Sequence, residues 1–391
     1  MTTRSASPAN FAGIDSFTSY GCDDCGLKEG EHLPCGLGGW FDAGDYELNI
    51  NAQGFTVLVL SLALEEFGID MDEATLDAGK KAWIGGKPDG KADILQQIQW
   101  GALWLLAMQR PDGRGFVGVV EAPGKYGSEV APEDVSDNIP GTGDKRHLYA
   151  DYHADPLLIQ AIALASASRV LKQDFPDLSQ QCLLGAEKGF GYFCTHPEMY
   201  RPTVYFRPEE QNKGRDGMYL SALAELYITT GKPEYLAKIE LEREKISEME
   251  FDWPMPFETM HMNYWYSVPF LARLYPKTGE GALKEALAQA CSKAITIQIE
   301  RGEASPYPFY KWQFDEWGNN GTCLARVFDI YWLSKAFPEP IRFDSTLYSL
   351  LWIFGLHPYE ACIYTQAIYI FAINSMKWHF SLFSAISPIG G

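Results

Sequence analysis

Two aspartates in a glycine-rich block are the residues of this chain whose types and spacing are best suited to chemistry. The block reads Gly38-Gly39-Trp40-Phe41-Asp42-Ala43-Gly44-Asp45-Tyr46, so Asp42 and Asp45 stand three residues apart. The glycines permit backbone angles that other residues resist, and such a turn can direct both carboxylates into one cleft. One carboxylate can then take a proton from an attacking water while its neighbour orients that water, as inverting glycoside hydrolysis requires.

A plainer interpretation of the two aspartates stays open on the motif alone. Short D-x-x-D motifs also occur in loops that cap a following helix, here the helix after Asn49, and in loops that bind calcium. The choice between these interpretations depends on the sequence around the block.

A second group of candidate ligands lies just before this block. Cys22, Cys25, His32 and Cys35 follow a C-x2-C-x6-H-x2-C spacing, and three thiolates with one imidazole would complete a closed tetrahedral zinc site. A disulfide with one spare thiol, or three free thiols, would account for the same residues. A structural zinc or calcium ion is therefore a candidate, while the chemistry of the paired aspartates requires no cofactor.

The charge of the chain bears on its partners. The 51 acidic residues outnumber the 32 basic ones, for a formal net charge of −19. Such a chain should repel nucleic acid and anionic membranes, so a neutral substrate is expected. The 11 Trp, 21 Tyr and 22 Phe residues could stack on sugar rings, although they are also ordinary core material. We expect a monomer with a neutral substrate.

Helices must position these residues, because apolar helical stretches separated by Gly, Pro and Asp dominate the chain. Asp93 is predicted to cap the second helix, and 121–146 is predicted to be a long polar loop. Strand patterns are few, so the sequence predicts an all-α protein built from helical hairpins around a shared axis. The predicted helices are 51–68, 93–109, 155–172, 178–194, 216–230, 233–249, 261–275, 280–300, 321–336 and 344–354.

The order of several motifs resembles glycoside hydrolase family 9, the cellulase family with an (α/α)6 barrel. The likeness begins with "GGWFDAGDY" and continues through "DILQQIQWGALWLLAMQRPDG" and "LLIQAIALASASRVLK". It proceeds through "DGMYLSALAELYITTGKPEYL", "WGNNGTCLARVFDIYWLSKAF" and "LYSLLWIFGLHPYEACIYT", and so covers about Gly38 to Tyr364. The resemblance implies a six-hairpin toroid whose members hydrolyse β-1,4-glucan or related β-glycans with inversion. It therefore also implies that this chain binds a β-glycan or oligosaccharide.

The same resemblance assigns roles to residues. It implies that Asp45 is the general base and that Asp42 helps to hold the attacking water. Trp40 is a candidate substrate contact within the same block. Arg146 and His147, at the end of the long loop, could hydrogen-bond sugar hydroxyls, or they could belong to a solvated loop. Trp312 and Trp317 could be stacking platforms or core residues.

The C-terminal part of the sequence departs from the family pattern. Family members carry a glutamate general acid after the "LG-x-NP" helix, but this chain has no Asp or Glu after Glu360. Residues 365–391 form an apolar, aromatic tail that we interpret as a non-native terminus, so the barrel is expected to be incomplete there. The predicted organisation is an N-terminal segment 1–37 with the cysteine cluster, a catalytic-type domain 38–364 and this tail.

These observations predict a family 9 hydrolase with low or absent activity. Two alternatives stay open: a non-catalytic glycan-binding barrel, and an exo-acting amino-sugar glycosidase with Asp134, Asp137 and Asp144 near its subsite. An anionic uronyl substrate is disfavoured by the net charge. The compartment is not predicted, because the family is usually secreted whereas the polar opening stretch 1–19 lacks the apolar core of a signal peptide.

Overall fold

The computed structural model describes residues 15–17, 39–40, 48–77, 82–121, 146–150, 156–197, 215–249, 251, 267–304 and 319–339. The chain divides into two compact units. The first comprises Met1–Glu242 with His261–Phe270, and the second comprises Arg243–Met260 with Leu271–Gly391. Each unit is described by itself below.

Helices dominate the described part of the first unit, and the positions of the first five agree with the predicted ones to within a few residues. The predicted turn at Arg110-Pro111-Asp112-Gly113 is also confirmed, because the Gly113 N–H donates to the Arg110 carbonyl at 3.0 Å. The helices are α1 (Ile50–Phe67), α2 (Asp93–Ala107), α3 (Pro156–Leu171), α4 (Pro176–Thr195), α5 (Arg215–Thr230) and α6 (Pro233–Leu241).

Helix α3 lies at the centre of the first unit and packs against α1, α2, α4 and α5. It is buried on nearly all sides, and many of the buried residues are alanine or serine. Small residues let neighbouring helices approach closely. At Gly54 in α1, for instance, an added Cβ would lie 2.9 Å from Cγ1 of Ile159 in α3. The alternation of small and large residues in "LLIQAIALASASRVL" is therefore the pattern of a central helix.

A four-stranded sheet accompanies these helices, although the sequence predicted few strands. Its strands are β1 (Asp15–Phe17), β2 (Leu48–Asn49), β5 (Phe116–Glu121) and β6 (Arg146–Ala150), in the order β1-β6-β5-β2. β1 runs parallel to β6, and the other two pairs are antiparallel. β1 and β2 contain three and two residues, which are too few for an alternating pattern to be recognised in the sequence.

A two-stranded hairpin of β3 (Ala74–Asp77) and β4 (Ala82–Gly85) precedes α2 and corrects the prediction for Asp93. Asp93 is the first residue of α2 instead of its N-cap, and the N-cap position is held by Ala92 without a side-chain hydrogen bond. The carboxylate of Asp93 accepts hydrogen bonds from the backbone N–H groups of Glu73 and Ala74, at 3.1 and 3.0 Å. The Asp93 carboxylate therefore binds the hairpin and does not cap the end of α2.

The predicted helix 233–249 is two helices, α6 and α7 (Arg243–Glu248). The break falls at Glu242, whose backbone N–H donates to the Ile239 carbonyl at 3.0 Å, a tighter i to i−3 bond than the α-helical one. No proline or glycine marks this position, so the sequence carried no indication of it. The boundary between the two units falls at the same place.

The described part of the second unit consists of α7, the end of α8 (Val268–Leu274), a 3-10 turn at Tyr275–Lys277, α9 (Ala282–Ala304) and α10 (Asn319–Ala336). Helix α7 packs against α9, and Leu287, Ala290 and Ala294 of α9 are fully buried. The guanidinium of Arg273 lies 5.2 Å from the ring centre of Trp332 in α10. The predicted helix 344–354 lies outside the described residues.

None of the described helices combines the length and the apolar character that crossing a membrane requires.

Candidate active site

The structure describes the two ends of the segment that carries the predicted catalytic aspartates. Gly39–Trp40, here the upstream anchor, precedes residues 41–47, and Leu48–Asn49, the downstream anchor, follows them. For Arg146 and His147 the structure describes the backbone, which belongs to β6. Outside the described residues lie Asp42, Asp45, Trp312, Trp317 and the predicted zinc ligands Cys22, Cys25, His32 and Cys35.

Gln53 holds the backbone of Trp40. Its Oε1 accepts a hydrogen bond from the Trp40 N–H at 2.8 Å, and its Nε2 donates to the Trp40 carbonyl at 2.5 Å. Gln53 stands in the first turn of α1 and is 2% exposed. An amide side chain that bonds to both the N–H and the carbonyl of one residue fixes the orientation of that residue's backbone. A neighbouring β-strand restrains a residue with the same pair of hydrogen bonds.

The indole ring of Trp40 is held by α2. Its Nε1 donates to Oε1 of Gln97 at 2.9 Å. Its six-membered ring lies over Gly101, where an added Cβ would come within 2.6 Å of the Trp40 Cη2 and 2.4 Å of the Val57 Cγ2. The ring is half-buried and its N–H is already used within the protein. A contact between this side chain and a sugar would therefore involve the ring face or edge.

Gly39 brings the two anchors together. Its φ of +80° is in the left-handed region, which glycine adopts readily, and its carbonyl accepts a hydrogen bond from Nε1 of Trp100 at 2.8 Å. A Cβ at this position would lie 3.0 Å from Cδ2 of Leu48 and 3.1 Å from Cδ1 of Trp104. The chain thus enters and leaves segment 41–47 at neighbouring points.

The downstream anchor joins the sheet to α1. Leu48 is fully buried and pairs with Val119 of β5. Asn49 is the N-cap of α1, and its side chain accepts a hydrogen bond from the Ala52 N–H at 2.8 Å. The first turn of one helix therefore holds both anchors, through Asn49 on one side and Gln53 on the other.

The sheet also brings the backbone of β6 near this segment. Leu48 pairs with Val119, and Val119 pairs with Leu148 of β6. Two strand spacings separate Leu48 from Leu148, which corresponds to about 10 Å. Arg146 and His147 directly precede Leu148. Their backbone therefore lies about as far from the downstream anchor as the length of one or two sugar rings.

Comparisons with known proteins identify the family of this chain. The model of glycosyl hydrolase family 9 matches residues 14–380. The chain belongs to glycosyl hydrolase family 9. The match extends the Gly38–Tyr364 likeness at both ends, and it includes β1 and residues 365–380 of the predicted tail.

Relatives of this family 9 chain include Endoglucanase D of Acetivibrio thermocellus, which is 23% identical over 334 residues. That alignment covers 82% of this chain and 49% of the relative. A xyloglucan-specific endo-β-1,4-glucanase of Bacteroides ovatus is 26% identical over 211 residues, which cover 50% of this chain and 33% of the relative. The family 9 chain thus spans about half the length of Endoglucanase D and a third of the length of the Bacteroides ovatus relative.

Solved structures of family 9 endoglucanases have the fold of this chain. A Zn-binding triple mutant of endoglucanase J30 has a TM-score of 0.64 at 20% identity, covering 81% of this chain and 56% of that one. A metagenome-derived endoglucanase has a TM-score of 0.63 at 19% identity, covering 92% and 65%. The predicted fold class, an all-α protein of the (α/α)6 barrel type, is confirmed.

Sequence reasoning did not identify the glutamines and the tryptophan that hold the upstream anchor of this family 9 chain. Gln53, Gln97 and Trp100 were assigned to helices without a role. A polar residue on the apolar side of a helix was the available indication for Gln53, because a buried amide needs hydrogen-bond partners. The partners themselves, 13 to 61 residues away in sequence, could not be read from the pattern.

The part of the family 9 chain that the structure describes contains no group of three or more His, Cys, Asp or Glu side chains able to hold a metal ion.

Proposed function

We propose that this family 9 chain hydrolyses β-1,4-glucan or a related β-glycan. The observation that carries the proposal is the family match over residues 14–380, together with an aspartate-bearing block held at both ends by the first turn of α1. The names of its relatives, an endoglucanase and a xyloglucan-specific endo-β-1,4-glucanase, support this class of substrate. A neutral glycan also agrees with the net charge of −19.

In this proposal Asp45 is the general base and Asp42 helps to hold the attacking water. The water attacks the anomeric carbon from the face opposite the leaving oxygen, gives its proton to Asp45, and the configuration at that carbon inverts. An ionised Asp45 suits this role at neutral pH, because the ordinary pKa of an aspartate is about 3.9. No metal or organic cofactor takes part.

The same proposal assigns substrate contacts to five residues outside the aspartate pair. Trp40 would present its ring to a sugar near the aspartates, since its N–H is held by Gln97. Arg146 and His147 would hydrogen-bond sugar hydroxyls, in agreement with the place of their backbone in β6. Trp312 and Trp317 would stack on further rings of the glycan.

The choice of substrate decides how the proposal is tested. Protonation of the leaving oxygen by a general acid typically contributes about 10²–10⁴-fold to the rate. Cleavage of cellulose oligosaccharides therefore depends on this protonation as well as on the activated water. A dinitrophenyl leaving group departs without protonation, so 2,4-dinitrophenyl β-cellobioside reports on the water-activating side alone.

The decisive experiment measures hydrolysis of this aryl glycoside by the wild type and by Asp45→Asn and Asp42→Asn. We expect Asp45→Asn to lower kcat by about 10²-fold or more, and Asp42→Asn by a smaller factor. Asp70→Asn, at an exposed position that follows α1, is the matched control and should retain the wild-type rate. Proton NMR of the first product should show the α-anomer. A β-anomer would contradict inversion, and a fully active Asp45→Asn variant would contradict the assignment of the base.

The alternative function, a non-catalytic glycan-binding barrel, predicts a different pair of results. Such a protein would bind cellotetraose in calorimetry but would not release dinitrophenol at any enzyme concentration. An exo-acting amino-sugar glycosidase would instead release dinitrophenol only from an amino-sugar glycoside.

A further inference from the structure

We propose that Gln53 is a positioning residue for the two aspartates, acting through the backbone of Trp40. This inference rests on the proposed function of Asp42 and Asp45, and it assigns to the reaction a side chain that is not itself expected to touch substrate.

The first step of the argument concerns what Gln53 is bound to. Both polar atoms of its side chain are used on one residue, accepting from the Trp40 N–H at 2.8 Å and donating to the Trp40 carbonyl at 2.5 Å. Because Gln53 is only 2% exposed, water cannot replace these hydrogen bonds. Trp40 is two residues before Asp42 and five before Asp45. A shift of the Trp40 peptide therefore displaces the start of the segment that carries both aspartates.

The second step concerns the other end of the segment. Gln53 stands four residues after Asn49, so it belongs to the same helical turn that Asn49 caps. Leu48 is fixed in turn by its pairing with Val119. One turn of α1 thus contacts both the upstream and the downstream anchor. Removing the Gln53 bonds loosens the Trp40 backbone alone, because the Trp40 ring and the Gly39 carbonyl keep their bonds to Gln97 and Trp100.

The third step concerns what such a release should do. A catalytic group displaced by about 1 Å can lose about 10²-fold in rate without a comparable change in substrate binding. Sugar rings bound by residues elsewhere in the cleft would still bind. Loss of the Gln53 bonds should consequently lower kcat more than it raises KM, whereas general destabilisation below the unfolding temperature should change neither.

The experiment compares Gln53→Met with Gln160→Met. Methionine has nearly the volume of glutamine but forms no comparable hydrogen bonds. Gln160 is a matched control because it is also fully buried in the first unit, and its Nε2 donates to a backbone carbonyl, that of Leu105, at 2.7 Å. Hydrolysis of 2,4-dinitrophenyl β-cellobioside is measured well below both unfolding transitions, with folding verified by circular dichroism.

We expect Gln53→Met to lower kcat by about 10–100-fold and to change KM by less than about threefold, while Gln160→Met keeps both within about threefold of the wild type. Equal kcat losses in the two variants, or an unchanged kcat in Gln53→Met, would overturn the inference. If Asp45→Asn is inactive while Gln53→Met is fully active, only the positioning role is wrong. If Asp45→Asn retains the wild-type rate, the proposed function itself is wrong, and Gln53 has no aspartate pair to position.

Discussion

Nη2 of Arg169 in α3 lies 2.5 Å from Oε1 of Glu225 in α5, and the side chain of Glu225 is fully buried. The same guanidinium donates to both carboxylate oxygens of Glu65 in α1, at 2.6 and 2.8 Å. Burial by itself lowers the pKa of Arg169, but the two carboxylates outweigh it and raise that pKa above the ordinary value. Arg169 therefore stays charged and ties three helices of the first unit together.

Replacement of Arg169 should destabilise the protein strongly. Arg169→Leu removes the cation beside a buried carboxylate, and loss of one partner from a buried pair costs about 3–5 kcal/mol. Lys284→Met is the control, because Lys284 pairs with Glu280, whose side chain is 89% exposed, and such pairs contribute about 1 kcal/mol or less. Urea unfolding measures both. Equal losses in the two variants would show that the Arg169 pair contributes no more than a surface pair.

Two glycines in helices should respond to alanine in opposite directions. At Gly101 a Cβ would collide with Trp40 and Val57, so Gly101→Ala should cost about 1–3 kcal/mol. At Gly191 in α4 a Cβ would meet nothing within 4 Å, so Gly191→Ala should stabilise by about 0.5–1 kcal/mol. Thermal unfolding compares the two. If Gly101→Ala were as stable as the wild type, the close contact between α2 and Trp40 would be wrong.

The described cysteines should differ in their reactivity toward alkylating reagents. Burial raises the pKa of Cys182 and of Cys291 to about 12, so only about one thiol in ten thousand is ionised at pH 8. Cys194 is only half-buried, and although burial raises its pKa, the ammonium group of Lys238, 3.7 Å from its Sγ, opposes this. Iodoacetamide labelling followed by peptide mass spectrometry should therefore modify Cys194 first. Labelling of Cys182 or Cys291 at the same rate would contradict their burial.

The carboxyl group of Asp93 should make a small contribution to the pH dependence of stability. Desolvation raises its pKa in the folded state, against the hydrogen bonds from Glu73 and Ala74 that lower it. Because the folded protein then binds this proton more tightly than the unfolded chain, the contribution favours folding at low pH. It is lost as the pH rises from the unfolded pKa, about 3.9, through the folded one.

Asp93→Asn removes this titration. The wild type should therefore lose stability relative to the variant as the pH rises from the unfolded pKa, about 3.9, through the folded one, as urea unfolding at each pH would measure. A difference that stays constant with pH, or that changes in favour of the wild type, would show that the hydrogen bonds outweigh desolvation.

Several features of this protein were determined by its sequence alone. Helical periodicity located α1, α3 and α5 to within a few residues, because the spacing of apolar side chains along one helix is a local property. The ordered motifs from "GGWFDAGDY" onward identified the family and hence the fold class. The glycine at position 39 also permits the positive φ found there, since the lack of a Cβ atom is a property of the residue itself.

Only the tertiary structure decided which residues meet. The bonds of Trp40 to Gln53 and Gln97, the pair of Arg169 with Glu225, and the use of Asp93 by a hairpin all join residues far apart in sequence. A buried amide or charge must find a partner, but its own position in the sequence does not name that partner. The choice is made when the helices pack, because packing fixes which polar groups are left facing each other away from water.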